Sequence, residues 1–208
     1  MHIDAITVSI DYSDYLEKII CNKDKVSRWL IITHHSDAKT IELCKKYDLE
    51  YFLSKEIYSN GAPFAKSRAI NEALQYINPH DWIAIIDSDT QLPNDFNDII
   101  ISHVKCKDTI YGCHRYVPNG LSKVENFPFS GEGRPWGFFQ LWHSSVINDY
   151  YVGEYTNAEG DVQQAARFQK YKMLPLKVTD HQTESGRRHN WYGRGAIGKI
   201  RHKIYGAN

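Results

Sequence analysis

The chain of 208 residues carries 25 Lys and Arg against 25 Asp and Glu, and 42% of it is hydrophobic. That is enough apolar material for the core of one ordinary domain, and a formal net charge of zero leaves no overall field for gathering nucleic acid or an acidic membrane. Any basic site must be local.

Met1 leads straight into a strand-like stretch with no signal-peptide pattern, and no run approaches the ~18 apolar residues of a membrane span, so a soluble, cytoplasmic protein is expected. Residues 5–10 and 28–33 are short β-branched runs, each followed by a polar stretch able to start a helix, which is the alternation of βαβ units and a parallel sheet. Asp37 or Ser36 is placed to cap an amphipathic helix from residue 38, and residues 51–53 predict a brief third strand. After an Asn-Gly-Ala-Pro turn, apolar residues recur at helical spacing over 64–77 until Asn78-Pro79 stops the helix. Residues 82–86 are a continuous apolar run of strand length, as expected where both faces are covered. Further on, 109–117 and 136–143 predict strands flanking a Gly/Pro-rich loop over 118–135. Residues 160–172 predict a helix, 174–179 a last strand, and 186–208 a glycine-rich basic tail. Cys21, Cys44, Cys106 and Cys113 form no CxxC pair, which favours free thiols over a disulfide framework or a zinc site.

The strand at 82–86 runs into Asp87-Ser88-Asp89-Thr90, which sets two carboxylates at the carboxyl edge where open α/β sheets bind ligands. Alternate residues of an extended segment point the same way, so Asp87 and Asp89 converge and repel unless a cation neutralises them. Hard oxygen ligands suit magnesium or manganese. The plain alternative is a turn with Asp at its caps. A phosphatase of the haloacid-dehalogenase type also opens with an apolar strand and DxD, its first Asp acting as nucleophile. That pattern needs Thr or Val where Gln91 stands, and a motif on the first strand.

Three pieces of the chain, in order, resemble the nucleotide-sugar glycosyltransferases of the GT-A fold, family-2-like. Thr7-Val8-Ser9-Ile10-Asp11-Tyr12 is similar to that group's first strand and nucleotide loop. Lys66-Ser67-Arg68-Ala69-Ile70-Asn71 is similar to its basic helix, and Ile86-Asp87-Ser88-Asp89-Thr90 with Leu92-Pro93 to its DxD segment. The spacing, about fifty-five residues from Asp11 to Lys66 and about twenty more to Asp87, agrees. The resemblance implies a single GT-A domain over 1–208 with a mixed, mainly parallel sheet flanked by helices. Residues 1–104 would form the nucleotide-sugar half, 105–180 the acceptor half and 181–208 a basic lid or tail. It also implies that Asp11 and Tyr12 meet the base or ribose, that Lys66 or Arg68 reaches the base or diphosphate, and that Asp89 ligates Mn2+ or Mg2+ while Asp87 touches ribose or metal.

Downstream, Glu159-Gly160-Asp161 with Arg167 resembles the acidic motif that opens the acceptor-side helix. Counting back from Arg167 selects Asp161 as the catalytic carboxylate, with Glu159 standing in for the acid that Gly160 displaces; an acid at a helix start also serves as a plain cap. His181, just after the last predicted strand, stands where related enzymes complete the metal shell. Trp136 is the candidate platform for an acceptor sugar, with Phe138 and Phe139 assigned to the core. In the tail, Arg187, Arg188, Arg194, Lys199, Arg201 and Lys203 around Trp191 could close over a diphosphate or touch a membrane. The implied reaction moves a sugar from a nucleoside diphosphate, UDP foremost, to a hydroxyl of a saccharide. A nucleotide-sugar or saccharide-binding module without turnover is the main contrast. A nucleotidyltransferase would show a glycine-rich basic loop after Ile10, where none stands.

Overall fold

In the computed structural model, which describes residues 1–59, 62, 64–116, 135–152 and 157–181 (the backbone alone at 116 and 157–159), the chain opens with β1 (Ile3–Val8), buried along its whole length. β2 (Arg28–Thr33), β3 (Glu50–Leu53) and β4 (Trp82–Ile86) add to it in parallel, giving the order β3-β2-β1-β4. The reason lies in the side chains. Trp29, Ile31, Trp82, Ala84 and Ile86 feed one apolar layer, while Leu30, Ile32, Ile83 and Ile85 feed the opposite one. Strands buried on both faces are apolar at most positions, and the buried exceptions here are Asp4 and Thr7 of β1 and Thr33 of β2. Each fully buried Ile or Leu contributes about 1.5–3 kcal/mol through the water it sheds.

Helices cover both layers. Leu16 of α1 (Ser13–Lys18), Leu43 and Cys44 of α2 (Ala38–Lys46), and Phe96 and Ile100 of α4 (Phe96–His103) close the first. Ala69, Ile70, Ala73, Leu74 and Ile77 of α3 (Lys66–Ile77) and Ala165 of α5 (Asn157–Ala166) close the second. Asp37 caps α2 as expected, its Oδ1 accepting from the Thr40 amide at 3.2 Å. α3 ends at Asn78 in a left-handed conformation (φ 45°) just before Pro79.

The second half completes the sheet with β7 (Phe139–His143) antiparallel to β4, then β6 (Thr109–Tyr116), β8 (Lys170–Asp180) and the two-residue β5 (Thr90–Gln91). The result is one mixed, mainly parallel sheet of eight strands. Its departures from the sequence expectation are local. α5 starts at Asn157 and ends at Ala166 instead of spanning 160–172, and residues 170–173 belong to β8. Their exposure, with Lys170 and Lys172 turned outward, hides the strand in the sequence. α4, an Ile-rich helix, and a 3₁₀ helix over Ile20–Lys25 are additions that the sequence does not announce. All four cysteines are free, and no helix among the described residues is long and apolar enough to cross a membrane.

Candidate active site

The crossover from β1 leads to β2 on one side while β4 lies on the other, so the sheet order reverses between β1 and β4. Open α/β sheets bind ligands in the crevice outside the carboxyl ends of the strands at such a point. Asp11 comes after β1 and Asp87 after β4, so both leave adjacent parallel strands at that edge.

The DxD segment is a tight turn. The Asp87 amide donates to the Phe138 carbonyl (3.1 Å) and the Asp87 carbonyl accepts from the Thr90 amide (3.0 Å). Asn22, buried in the 3₁₀ helix, clasps the exit of the turn: its Nδ2 donates to Thr90 O and its Oδ1 accepts from the Leu92 amide, each at 2.9 Å. The end of β8 closes the turn from the other side, pairing Asp180 with Thr90, and the His181 amide donates to Asp89 O at 2.8 Å.

This pairing brings Asp180, a residue that no sequence motif marks, against Asp89. Asp180 is 3% exposed and is paired with Arg115 at 3.0 Å. Burial, then Asp180, then Asp87 push the Asp89 carboxyl up to about 8, against the opposing pull of Arg115. Three acids, when all are ionised, share this corner with the Arg115 guanidinium and the Lys66 ammonium, so negative charge is in excess by one. An oxygen donor set short of positive charge fits a hard divalent cation. Among the described residues, however, no group of three or more His, Cys, Asp or Glu is arranged to hold an ion alone. Two of the three predicted ligands are already engaged: Asp87 pairs with Lys66, and His181 Nε2 lies 2.7 Å from Gln91 Oε1. The His181 pKa is lowered, by burial and then by Lys18, which leaves a neutral imidazole. Such a corner would offer one or two carboxylates and leave the remaining positions to phosphate oxygens and water, as magnesium sites commonly do.

Lys66, at the start of α3, joins the two acidic motifs. Its Nζ lies 2.8 Å from Asp87 Oδ1 and 3.5 Å from Asp161 Oδ1. Burial would lower its pKa, but the charges of Asp161 and Asp87 outweigh that and raise it, so the ammonium persists. Asp161 stands in the second turn of α5, not at its start, and so is no cap. Burial raises its carboxyl while Lys66 pulls it back. Tyr150 OH donates to Asp161 Oδ1 at 2.6 Å. An ideal Cβ on Gly137 would stand 1.7 Å from Asp161 Oδ2, so only glycine leaves room for that carboxylate. An ideal Cβ on Gly160 would meet Ser67 Oγ at 2.3 Å. The close approach of α5 to α3 therefore explains why glycine stands there instead of an acid.

Other predicted residues take different places. Asp11, exposed and at φ 59°, is held by its amide to Asp37 Oδ2 at 2.8 Å. It does not cap α1, whose N-cap is Tyr12 with no side-chain hydrogen bond. Asp11 and Tyr12 stand outside the carboxyl end of β1. The Arg68 guanidinium turns to Ser59, its Nη1 3.1 Å from Oγ, while Lys66 turns to Asp87 and Asp161. Trp136 packs half-buried against the core cluster that holds Phe138 and Phe139, so packing occupies much of the predicted platform. Arg167 pairs with Asp149 at 2.6 Å and bonds Gln164, which bolts the segment before Tyr150 to α5. The Glu159 side chain, the loop over 117–134 and the basic tail from 182 lie outside the described residues.

No protein-family model and no curated protein sequence matches this chain. Solved structures do. A mycobacterial protein superposes with TM-score 0.67 at 12% identity, over 98% of this chain and 74% of that one. Mannosyl-3-phosphoglycerate synthase from Rubrobacter xylanophilus gives 0.62 at 13%, over 98% and 73%. Glucosyl-3-phosphoglycerate synthase from Mycobacterium tuberculosis, solved with Mn2+, UDP and glucosyl-3-phosphoglycerate, gives 0.64 at 12%, over 98% and 78%. The fold is GT-A. Similarity at this level of identity establishes architecture, and the chemistry must be argued from the side chains. The GT-A topology also removes the phosphatase alternative, because the DxD strand is the fourth in chain order and lies beside β1.

Proposed function

We propose that this chain is a metal-dependent glycosyltransferase that moves a sugar from a nucleoside diphosphate, UDP foremost, to an acceptor hydroxyl. The observation that carries the reading is the Lys66 bridge, 2.8 Å to Asp87 and 3.5 Å to Asp161, at the point where the sheet order reverses. It sets a donor-side and an acceptor-side carboxylate in one network, which binding of a nucleotide-sugar alone would not require. The GT-A neighbours support the donor class, since one was solved with Mn2+, UDP-glucose and phosphoglyceric acid and another with Mg2+ and UDP.

In this reading Asp89, with Asp87 beside it, holds Mn2+ or Mg2+, and the ion when bound supplies charge to offset that building on the leaving diphosphate. Asp11 and Tyr12 meet the nucleoside. Lys66 keeps Asp87 oriented and adds a fixed positive charge to the diphosphate side. In an inverting transfer, Asp161 takes the proton of the acceptor hydroxyl as that oxygen attacks the anomeric carbon on the face opposite the leaving diphosphate. The acceptor is a saccharide hydroxyl in the first instance. Phosphoglycerate is the second candidate, because glycosylated phosphoglycerate is the product in the neighbours named above.

Incubation with manganese, a panel of nucleotide-sugars, and saccharide or phosphoglycerate acceptors should release nucleoside diphosphate in step with acceptor, and NMR of the product should show inverted anomeric configuration. Metal-dependent UDP binding with no release from any donor would leave a binding module instead. A retained configuration would remove Asp161 from the role of base.

A further inference from the structure

Asp161 uses its two oxygens unequally. Oδ1 takes both hydrogen bonds that reach the carboxylate among the described residues, from Tyr150 OH at 2.6 Å and Lys66 Nζ at 3.5 Å. Oδ2 takes none of them and stands over the bare Cα of Gly137. Resting on the transferase reading above, we propose that Tyr150 is the positioning residue of Asp161, its hydroxyl holding Oδ1 so that Oδ2 faces the acceptor hydroxyl and takes its proton.

Much of the surrounding structure serves to fix Tyr150. The residue is 1% exposed, and Asn71 of α3 grips its backbone on both sides, donating to Tyr150 O at 2.8 Å and accepting from its amide at 2.7 Å. Gln164 Oε1 accepts from the next amide, Tyr151, at 2.9 Å. A residue so held cannot swing away, and its hydroxyl is a fixed point against which the carboxylate is aimed.

The hydroxyl has two acceptors and one proton. Gln140 lies buried on β7, and its Nε2 donates to the carbonyls of Pro135 (3.1 Å) and Asp161 (2.8 Å). Those two carbonyls decide which way the amide points, so Oε1 is the atom turned to Tyr150 OH, 3.1 Å away. While Asp161 is ionised, the charged and closer oxygen takes the Tyr150 proton. During transfer the acceptor O–H bond breaks and an O–H bond forms on Oδ2. The acceptor oxygen bonds to the anomeric carbon, and the electron pair of the broken glycosyl bond leaves with the diphosphate. Oδ1 is then a neutral carbonyl oxygen, and the Tyr150 proton can turn to Gln140 Oε1. Tyr150 thus has a partner in both proton states, and the network needs no rearrangement beyond one hydroxyl rotation. The charged and titratable groups facing Asp161 among the described residues are Lys66 from α3, Asp87 from the end of β4, and Tyr150 itself.

The test compares the parent with Tyr150→Phe and with 3-fluorotyrosine placed at position 150, a near-isosteric change that strengthens the donor. Tyr150→Phe should lower kcat about tenfold to a hundredfold, the value of one hydrogen bond to a charged group, with donor KM within a few-fold. Its acid limb in the kcat–pH profile should move to higher pH, since a carboxylate stripped of a donor binds protons more tightly. The fluorotyrosine protein should keep its melting temperature and move that limb the opposite way. If Tyr150→Phe lowers kcat with the acid limb unmoved, or both substitutions move it in one direction, the hydroxyl acts only as packing and the proposal is overturned. Should Tyr150→Phe fail to fold, the fluorotyrosine arm decides alone. A parent that turns over no donor overturns the transferase reading and this inference with it, whereas an active parent with an indifferent position 150 overturns this inference only.

Discussion

Asp89 and Asp161 are both half-buried acids whose carboxyls are pushed upward, yet their surroundings differ. Around Asp89 the next largest influences are Asp180 and Asp87, which push the same way as burial. Around Asp161 the next is Lys66, joined by hydrogen bonds from Tyr150 and Lys66 in opposing burial, while Asp87 pushes with it. One corner is built with too little positive charge and the other carries its own. This contrast fits the proposed roles: a site that is to receive a cation with its substrate is left electrostatically incomplete, whereas a base is held ready as an anion before the substrate arrives.

The comparison breaks most directly at Asp161. Asp161→Asn keeps the shape and the hydrogen bond from Tyr150 but removes the proton acceptor, and loss of a general base typically costs ~10²–10⁴ in rate. Donor affinity, measured by calorimetry with UDP and manganese, should stay within a few-fold. Loss of affinity and of thermal stability together would make Asp161 a structural or donor-binding residue. Survival of transfer near the parent rate would move the role to Glu159.

A smaller effect should come from beside the carboxylate. Gly137→Ala places a methyl where Asp161 Oδ2 now stands, at 1.7 Å, so the carboxylate must turn or α5 must shift. A misplacement of about 1 Å can cost ~10²-fold in rate. kcat should fall by that order while metal-dependent UDP binding persists, because Asp89 is untouched. Equal loss of UDP binding would mean that the two corners are one mechanical unit.

Legibility in the sequence divides along the same line. β2 and β4 are readable at their observed limits because strands covered on both faces are mainly apolar, a signal contained within five or six residues. The placement of Asp87 and Asp89 after a strand, and of Lys66 in a helix, is readable for a similar reason, each lying in a short segment. The acceptor side depends on distant partners. Tyr150 matters through Asn71 and Gln140, and Asp180 through Arg115 and the pairing with Thr90. No local pattern marks them. The start of α5 is misread because Gly160 looks like a helix boundary, whereas the structure uses it to let α5 approach Ser67 of α3. Arg68 shares a helical turn with Lys66 and the same basic character, and only the fold shows that it faces the Ser59 loop.

The smallest expected effect is on stability, and it sharpens the contrast at its source. In metal-free protein the Asp89 carboxyl holds its proton up to about 8, whereas an unfolded chain releases it near the ordinary value of 3.8. Between those values the folded state binds more protons than the unfolded state, so stability declines as pH rises through the window. Manganese takes the place of the proton and should flatten the decline. Asp89→Asn, uncharged at every pH, should remove it outright. Melting curves in chelator from pH 5 to pH 8 should therefore fall more steeply for the parent than for the variant. The variant should stand higher than the parent at pH 8, each kcal/mol raising the melting temperature by ~2–4 °C for a domain of this size. The same variant should show no melting gain on adding manganese, and no metal dependence of UDP binding. Parallel curves for parent and variant would mean that Asp180 and Arg115 already settle the charge of that corner, and that Asp89 is not where the cation is held.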